Sequence, residues 1–277
     1  MKKLLVTGAG GFVGSRVCQQ WQGKFEFITL PRGFLAKAEE ADVRNFVMQN
    51  RPDLILHTAA LSDTGYCAAH PKESYRANVL LPEWLAEAAQ AIGAKLVAFS
   101  SDQVYAGVTL PGALPETLEL QPSNTYGQHK LEMEKQVLAC APDAVLLRAT
   151  WMYDLPGYHL PIRGNLPLNL WKATLHGEPV RFSSGDFRGV SSVREVINNL
   201  LSTFELPGGV YNFGSGNTYN MVETARQFAE IMNISITIEE ADWKRNLVMD
   251  CKKLQHYGIS FLSTQDALRE FLKSYSL

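Results

Sequence analysis

The chain has 277 residues, of which 46% are hydrophobic and 19% are charged, values typical of a globular protein with a large core. Its formal net charge of −2 provides no long-range attraction to nucleic acid or to an anionic membrane. The apolar runs are too short for a signal-peptide core or for the ~20 residues that span a membrane. The four cysteines lack CxxC spacing and the six histidines form no HxxxH or HExxH pair. We therefore expect a cytoplasmic protein with reduced thiols and no metal site.

Short apolar strands alternate with helical stretches over residues 1–150, which predicts a parallel sheet covered by helices on both faces. The predicted strands are KKLLVTG (2–8), FEFITL (25–30), PDLILHTAA (52–60), KLVAFSS (95–101) and AVLLRAT (144–150). The predicted helices are FVGSRVCQQWQ (12–22), ADVRNFVMQN (41–50), SYRANVLLPEWLAEAAQAIG (74–93) and TYGQHKLEMEKQVLAC (125–140). This fold class is α/β, a Rossmann-type doubly wound parallel sheet.

The alternation stops after about residue 150, where a stretch rich in proline and glycine begins. Later residues predict helices at 194–205, 221–232 and 263–275 and a strand at 209–215. We expect residues 1–150, completed by about 190–213, to form the cofactor domain. Residues 151–189 and 214–277 are expected to form a smaller substrate-binding region over the carboxyl ends of the strands.

The segment TGAGGFVG follows the first strand and opens the first helix. Gly8 allows the tight turn, Gly11 allows close approach of a pyrophosphate, and Gly14 lets the helix pack near the strand. Phe12 and Val13 begin the helix, whose N-terminus favours an anion. A glycine motif at this position predicts a bound dinucleotide.

The second strand ends without the acidic residue that commonly binds the ribose of NAD. Arg32 lies just beyond it, and a guanidinium there can bind a 2′-phosphate through two hydrogen bonds. This favours NADP(H), with NAD(H) as the alternative.

Three further residues form a pattern suited to proton transfer. Ser101 ends a strand, Tyr126 lies 25 residues downstream, and Lys130 follows one helical turn later. Reduction of a ketone requires a hydride on carbon and a proton on oxygen. A nearby ammonium is expected to lower the pKa of Tyr126 toward the working pH, which improves general acid catalysis. Ser101 would donate a hydrogen bond to the substrate oxygen.

The GxxGxxG spacing, preceded by Thr7, together with the Ser–Tyr–Lys order resembles the extended short-chain dehydrogenase/reductase superfamily. The resemblance implies that Lys130 hydrogen-bonds the nicotinamide ribose. It also implies that two residue pairs lie against the cofactor, Asp42 and Val43 near the adenine and Ala59 and Ala60 beneath the dinucleotide.

Within this superfamily, nucleotide-sugar dehydratases carry a Ser/Thr-Asp-Glu run, whereas this chain has Ser101, Asp102 and Gln103. An amide cannot act as the base of an elimination. The segments RPDLILHTAA and LRATWMYD resemble the dTDP-4-dehydrorhamnose reductase branch, which implies that Trp151 lines the sugar pocket. The chain departs from that branch at Gln103, where the branch has an aromatic residue, and at residues 61–75, where it has an acidic stretch.

These observations predict an NAD(P)H-dependent reductase of a nucleotide-activated 4-keto sugar, with Asp102, Gln103 and Trp151 beside the substrate. The protein is expected to be a monomer or a homodimer. Two alternatives remain open. One is a nucleotide-sugar epimerase or another carbonyl reductase on the same scaffold, and the other is a non-catalytic NADP-binding regulatory subunit.

Overall fold

A computed structural model describes residues 1–31, 33–157 and 159–274. The strands are β1 Lys3–Thr7, β2 Glu26–Thr29, β3 Leu54–His57, β4 Lys95–Ser101, β5 Val145–Ala149, β6 Trp151–Tyr153, β7 Val180–Phe182, β8 Asp186–Arg188, β9 Val190–Ser192, β10 Gly209–Phe213, β11 Ile238–Glu240 and β12 Arg245–Leu247. Within the described ranges, six of them form one parallel sheet in the order β10-β5-β4-β3-β1-β2. The remaining six pair in parallel as β6 with β9, β7 with β11 and β8 with β12.

Helices cover both faces of the sheet. They are α1 Phe12–Gln20, α2 Phe34–Lys37, α3 Glu40–Asn50, α4 Thr64–Ala69, α5 Pro71–Tyr75, α6 Leu81–Ile92, α7 Thr125–Cys140, α8 Leu166–His176, α9 Val193–Leu200, α10 Met221–Ile231, α11 Lys252–His256 and α12 Thr264–Lys273. No helix in the described ranges has the length and apolar character needed to cross a membrane.

Alternate residues of the central strands belong to two separate apolar clusters. Leu4 and Val6 of β1 pack into one cluster with α9 and β10, whereas Leu5 packs into the other with α3, α6 and α7. Burial on both faces explains why these strands read as continuous apolar runs rather than as alternating ones. The predicted α/β fold is therefore confirmed.

The predicted helix over 74–93 differs in detail from the structure. It consists of the end of α5, a π-helical turn at Arg76–Leu80, and α6, which has a proline in its first turn. The π-helical turn contains the buried Asn78, whose amide hydrogen-bonds the backbone of Leu61 through both its oxygen and its nitrogen. A side chain that fixes the loop after β3 is the physical reason for this irregular turn, and a helical periodicity does not reveal it.

A second core lies in the C-terminal half, where Tyr153, Leu166, Phe228 and Leu268 pack together. Tyr153 makes edge-to-face contacts with Phe228 and Phe271. Helix α8, which follows the stretch rich in proline and glycine and has a proline in its first turn, was not predicted. The short strand pairs of this region were not predicted either, because their strands are only three residues long. Such short runs carry no measurable periodicity.

Candidate active site

The turn between β1 and α1 brings three glycines into contact. Gly8 has a φ of +70°, which favours glycine, and its carbonyl accepts the Gly11 N–H at 2.8 Å. A Cβ atom on Gly14 would lie 2.2 Å from the Gly8 carbonyl oxygen, so α1 can approach the strand this closely only with glycine there. The first turn of α1 contains no acidic residue and Gly11 provides no side-chain cap. Its N–H groups can therefore bind an anion.

Substitution of Gly14 by alanine is expected to weaken both the fold and cofactor binding, because the backbone of Gly8 must move. Overpacking of this kind costs ~1–3 kcal/mol. Urea unfolding and titration with NADPH measure the two effects. Gly10→Ala is the matched control, since a Cβ atom at Gly10 meets nothing within 4 Å. Equal stability and equal cofactor affinity of the two variants would contradict this role of the turn.

A cavity of about 370 Å³ lies against this turn and against the carboxyl ends of β3, β4 and β5. Nine of the residues predicted from the sequence line it, namely Gly8, Gly11, Phe12, Val13, Ala59, Ala60, Ser101, Tyr126 and Lys130. Its walls combine a glycine turn, an uncapped helix N-terminus and small side chains. These features fit the pyrophosphate and nicotinamide portions of a dinucleotide.

Helix α7 places Tyr126 beside the end of β4. Asn124 caps the helix by accepting the Gly127 N–H at 2.8 Å, and its amide donates to the Gln103 side chain at 3.2 Å. A Cβ atom on Gly127 would lie 2.2 Å from the Gln103 carbonyl oxygen. This glycine therefore lets the first turn of α7 pack against the turn after β4, which places Tyr126 and Ser101 in the wall of the same cavity.

Lys130 is buried one turn further along α7. Its Nζ donates to the Phe99 carbonyl at 2.9 Å and lies 5.9 Å from the centroid of the Tyr126 ring. Burial lowers the pKa of Lys130 to about 8, and the charge of Glu134 opposes this change. The buried ammonium of Lys130 therefore has a pKa close to neutral pH, and in its protonated form it can still donate hydrogen bonds.

The pKa of Tyr126 is raised above its usual value, chiefly because the hydroxyl is buried. The hydrogen bond from Ser101 and the charge of Arg163 oppose this rise. We expected a net lowering through the neighbouring ammonium. That prediction is wrong in direction for this structure, because burial raises the pKa more than Ser101 and Arg163 lower it.

A second cavity of about 550 Å³ adjoins the first and is lined by Ser101, Asp102, Gln103 and Trp151, the four residues predicted to contact substrate. Asp102 is buried and accepts a hydrogen bond from Arg188 at 2.6 Å. The Arg188 guanidinium also lies 5.3 Å from the centroid of the Trp151 ring. Trp151 is therefore held by a cation–π contact at the wall of this cavity.

Two further arginines line the second cavity. Arg245 forms two hydrogen bonds to Asp186, at 2.9 and 2.6 Å, and Arg163 donates to the Ser62 hydroxyl at 2.9 Å. With Arg188, three guanidinium groups face a cavity whose carboxylates are Asp63 and Asp102. Asp102 and Asp186 pair with two of these guanidinium groups, so among the described residues Arg163 is the one of the three without a carboxylate partner.

The two cavities meet at a small set of side chains. The residues that line both are Ser62, Ser101, Tyr126, Thr150 and Arg163. A group bound in one cavity can contact a group bound in the other only at this junction. The geometry therefore suits transfer between two ligands, with a hydroxyl and a phenol at the point of transfer.

The family model for the RmlD substrate-binding domain matches residues 1–277. The chain belongs to this family. It is 26% identical over 288 aligned positions to the spore coat polysaccharide biosynthesis protein SpsK of Bacillus subtilis, covering 100% of this chain and 99% of that one.

Two other relatives of this RmlD-family chain align with different shares of its length. The dTDP-4-dehydrorhamnose reductase of Mycolicibacterium smegmatis is 31% identical over 55% of this chain and 46% of its own. This match thus spans about half of each protein. The beta subunit of methionine adenosyltransferase 2 from Xenopus laevis is 30% identical over 93% of this chain and 83% of its own.

Solved structures share the RmlD-type fold. The dTDP-4-dehydrorhamnose reductase of Bacillus anthracis in complex with NADP has a TM-score of 0.87 at 20% identity and covers 99% of this chain and 98% of its own. MoeE5 in complex with UDP-glucuronic acid and NAD has a TM-score of 0.79 at 24% identity, covering 99% of this chain and 100% of its own.

Arg32, predicted to bind a 2′-phosphate, lies outside the described residues. The structure does describe the two residues predicted to lie near the adenine. Asp42 lies in the first turn of α3, where its carboxylate accepts the backbone N–H of Glu39 in a capping box. Val43 is buried in the apolar core. Neither Asp42 nor Val43 lines a cavity described above, because the first uses its carboxylate for the helix terminus and the second packs inward.

Sequence reasoning missed Ser62, Thr150, Arg163, Arg188 and Arg245. The three arginines come from widely separated segments with no common motif, so only the tertiary structure brings them together. Thr150 hydrogen-bonds the Ser191 hydroxyl at 2.6 Å. Its position at the end of a predicted strand was the only sequence signal that could have singled it out.

Buried His57 predicts a pH dependence of stability. Its Nδ1 contacts the Thr7 hydroxyl at 2.8 Å. Burial, with a smaller contribution from Lys130, lowers its pKa to about 3. Below pH 6.5 the unfolded chain binds a proton that the folded protein does not, so stability falls from about pH 6.5 toward pH 3, by on the order of 1.4 kcal/mol per pH unit.

His57→Asn removes this titration, and urea unfolding between pH 4 and 7 should show a flatter dependence than in the wild type. Substitution of the exposed His176 by asparagine is the control and should leave the slope unchanged. Parallel curves for the wild type and His57→Asn would show that His57 is not responsible.

Proposed function

We propose that the chain is an NAD(P)H-dependent reductase of a nucleotide-activated 4-keto sugar. The observation that carries the proposal is the junction of the two cavities, where the Tyr126 hydroxyl and Ser101 line both. The first cavity would hold the dinucleotide and the second the sugar. Membership of the RmlD family and the reductases among its relatives support this choice of reaction.

Tyr126, Ser101 and Lys130 would have different roles in the proposed reaction. A bound nicotinamide would supply the hydride. Tyr126 would give its proton to the substrate oxygen, and Ser101 would donate a hydrogen bond that fixes this oxygen in place. Lys130 would bind the nicotinamide ribose with the donors that Phe99 does not use.

The second cavity supports a phosphate-bearing substrate, because Arg163 has no carboxylate partner among the described residues, and Arg188 and Arg245 keep N–H groups beyond those that bind Asp102 and Asp186. Trp151, Arg188 and Arg245 all come from residues 151–189 and 214–277, which we propose as the substrate-binding region. Asp102 is engaged by Arg188 and Gln103 is an amide. This pair therefore lacks the two acidic groups of an elimination site, which supports reduction over dehydration.

The test is a panel of nucleotide-linked 4-keto sugars, incubated with the purified protein and NADPH or NADH while absorbance at 340 nm is followed. We expect oxidation of the cofactor with at least one sugar, faster with NADPH, and a reduced sugar nucleotide as product. A clear preference for NADH would contradict the choice of NADP(H). No oxidation with any member of the panel would contradict the proposal.

The Xenopus relative carries the name of an enzyme's beta subunit, so a binding role remains the second candidate. A cofactor-binding subunit would bind NADPH in a calorimetric titration yet oxidise none of it in the panel. A nucleotide-sugar epimerase, the other alternative, would retain NAD through purification and interconvert sugars without net cofactor consumption.

A further inference from the structure

Arg163 is the one cationic residue among the five described residues that line both cavities. Lys130, the cation predicted from the sequence, lines only the first. We propose that Arg163 is a positioning residue that stabilises the ionised form of Tyr126 from the substrate side and so supports proton donation by this tyrosine. The inference rests on the proposed reductase function, in which Tyr126 is the proton donor.

Several contacts hold Arg163 at this junction. Its Nη1 donates to the Ser62 hydroxyl at 2.9 Å, and its guanidinium lies 5.5 Å from the centroid of the Phe12 ring. The fully buried Asn165, which caps α8, donates to the Arg163 carbonyl at 3.1 Å. Backbone and side chain are thus both fixed, and the guanidinium reaches from the C-terminal region toward the glycine turn.

The other arginines of the second cavity have acidic partners. Arg188 is paired with Asp102 and Arg245 with Asp186. Within residues 1–31, 33–157 and 159–274, no carboxylate forms a salt bridge with Arg163. Its charge is therefore not neutralised by a neighbour and can act on the phenolate that forms when Tyr126 loses its proton.

The groups around Tyr126 come from β4, the turn after β4, the helices α4 and α7, and the loop that carries Arg163. Burial raises its pKa most, the Ser101 hydrogen bond and the charge of Arg163 lower it, and Asp102 and Cys67 raise it. Lys130, on the same helix as Tyr126, directs its ammonium to a backbone carbonyl. Because the charge of Asp102 is balanced by Arg188, Arg163 is the cation whose removal should change the acidity of Tyr126 most.

The experiment compares Arg163→Gln with Arg163→Lys, which keeps the charge, in protein with 2,3,5-trifluorotyrosine incorporated at position 126. The ¹⁹F chemical shift is followed against pH with bound NADP⁺, and the three fluorine substituents lower the phenol pKa enough to offset the rise that burial causes. We expect the midpoint to rise by about one pH unit in Arg163→Gln and to stay near the wild-type value in Arg163→Lys. Added salt should reduce the difference, because Arg163 is exposed.

Kinetics provide a second readout on the unlabelled variants. Arg163→Gln should lower kcat for reduction about 3- to 10-fold with little change in KM, and the alkaline fall of kcat should move to higher pH. An unchanged ¹⁹F midpoint, or a rise in KM alone for the cofactor or the sugar nucleotide, would overturn the inference and make Arg163 a ligand-binding residue. A midpoint that moves as expected in a protein inactive on the whole panel would support the inference while refuting the reductase function.

Discussion

Replacement of Tyr126 by phenylalanine is expected to lower turnover of the keto sugar by about 10²- to 10⁴-fold, the contribution typical of a positioned general acid. The substitution removes only the hydroxyl of a residue that lies beside Ser101 at the junction of the cavities. The ring remains to fill the same space. Cofactor affinity and the free energy of unfolding should therefore change little. Steady-state kinetics, NADPH titration and urea unfolding measure the three quantities.

Tyr66→Phe is the matched control, because Tyr66 is an exposed tyrosine of α4 that lines neither cavity. Its hydroxyl donates a hydrogen bond of 2.8 Å to Glu73. It should keep wild-type turnover. Full activity of Tyr126→Phe would refute proton donation by this residue. A loss of stability in step with activity would mean that the hydroxyl serves the fold instead.

The second large effect is expected at Glu134, two turns beyond Tyr126 on α7. Its carboxylate binds Arg148 of β5 at 2.7 Å and the Ser100 hydroxyl of β4 at 2.5 Å, and both charged side chains are only 4% exposed. Glu134→Ala leaves a buried guanidinium without its counter-charge, which typically costs ~3–5 kcal/mol of unfolding free energy. Because this ion pair ties α7 to the strands beside the site, NADPH affinity should fall as well.

Glu270→Ala provides the comparison, since Glu270 forms a surface pair with Lys273 at 57% and 70% exposure. Such a pair contributes about 0–1 kcal/mol. The double variant Glu134→Ala, Arg148→Met should recover part of the lost stability, because it removes the unpaired charge. A single Glu134→Ala variant as stable as Glu270→Ala would disprove the structural role of the buried pair.

The sequence alone determined the main strands of the sheet and nine of the residues that line the first cavity. Period and composition of the apolar runs fix β1, β3, β4 and β5, because a strand buried on both faces reads as an uninterrupted apolar stretch. The glycine turn could also be predicted, since Gly8, Gly11 and Gly14 are close in sequence and their contacts are local. Tyr126 and Lys130 share a helix face because they lie four residues apart, which is about one helical turn. Their catalytic roles stay a prediction.

Only the tertiary structure decided the second cavity and the electrostatics of Tyr126. Arg163, Arg188 and Arg245 meet there although they lie up to 82 positions apart in the chain. The direction of the Tyr126 pKa depends on how deeply the hydroxyl is buried, which no spacing of residues reveals. The sequence likewise did not reveal that the Asp42 carboxylate caps helix α3, and its place near the adenine stays a prediction. Local contacts follow from the order of residues, whereas burial and charge balance depend on what the whole fold places around each group.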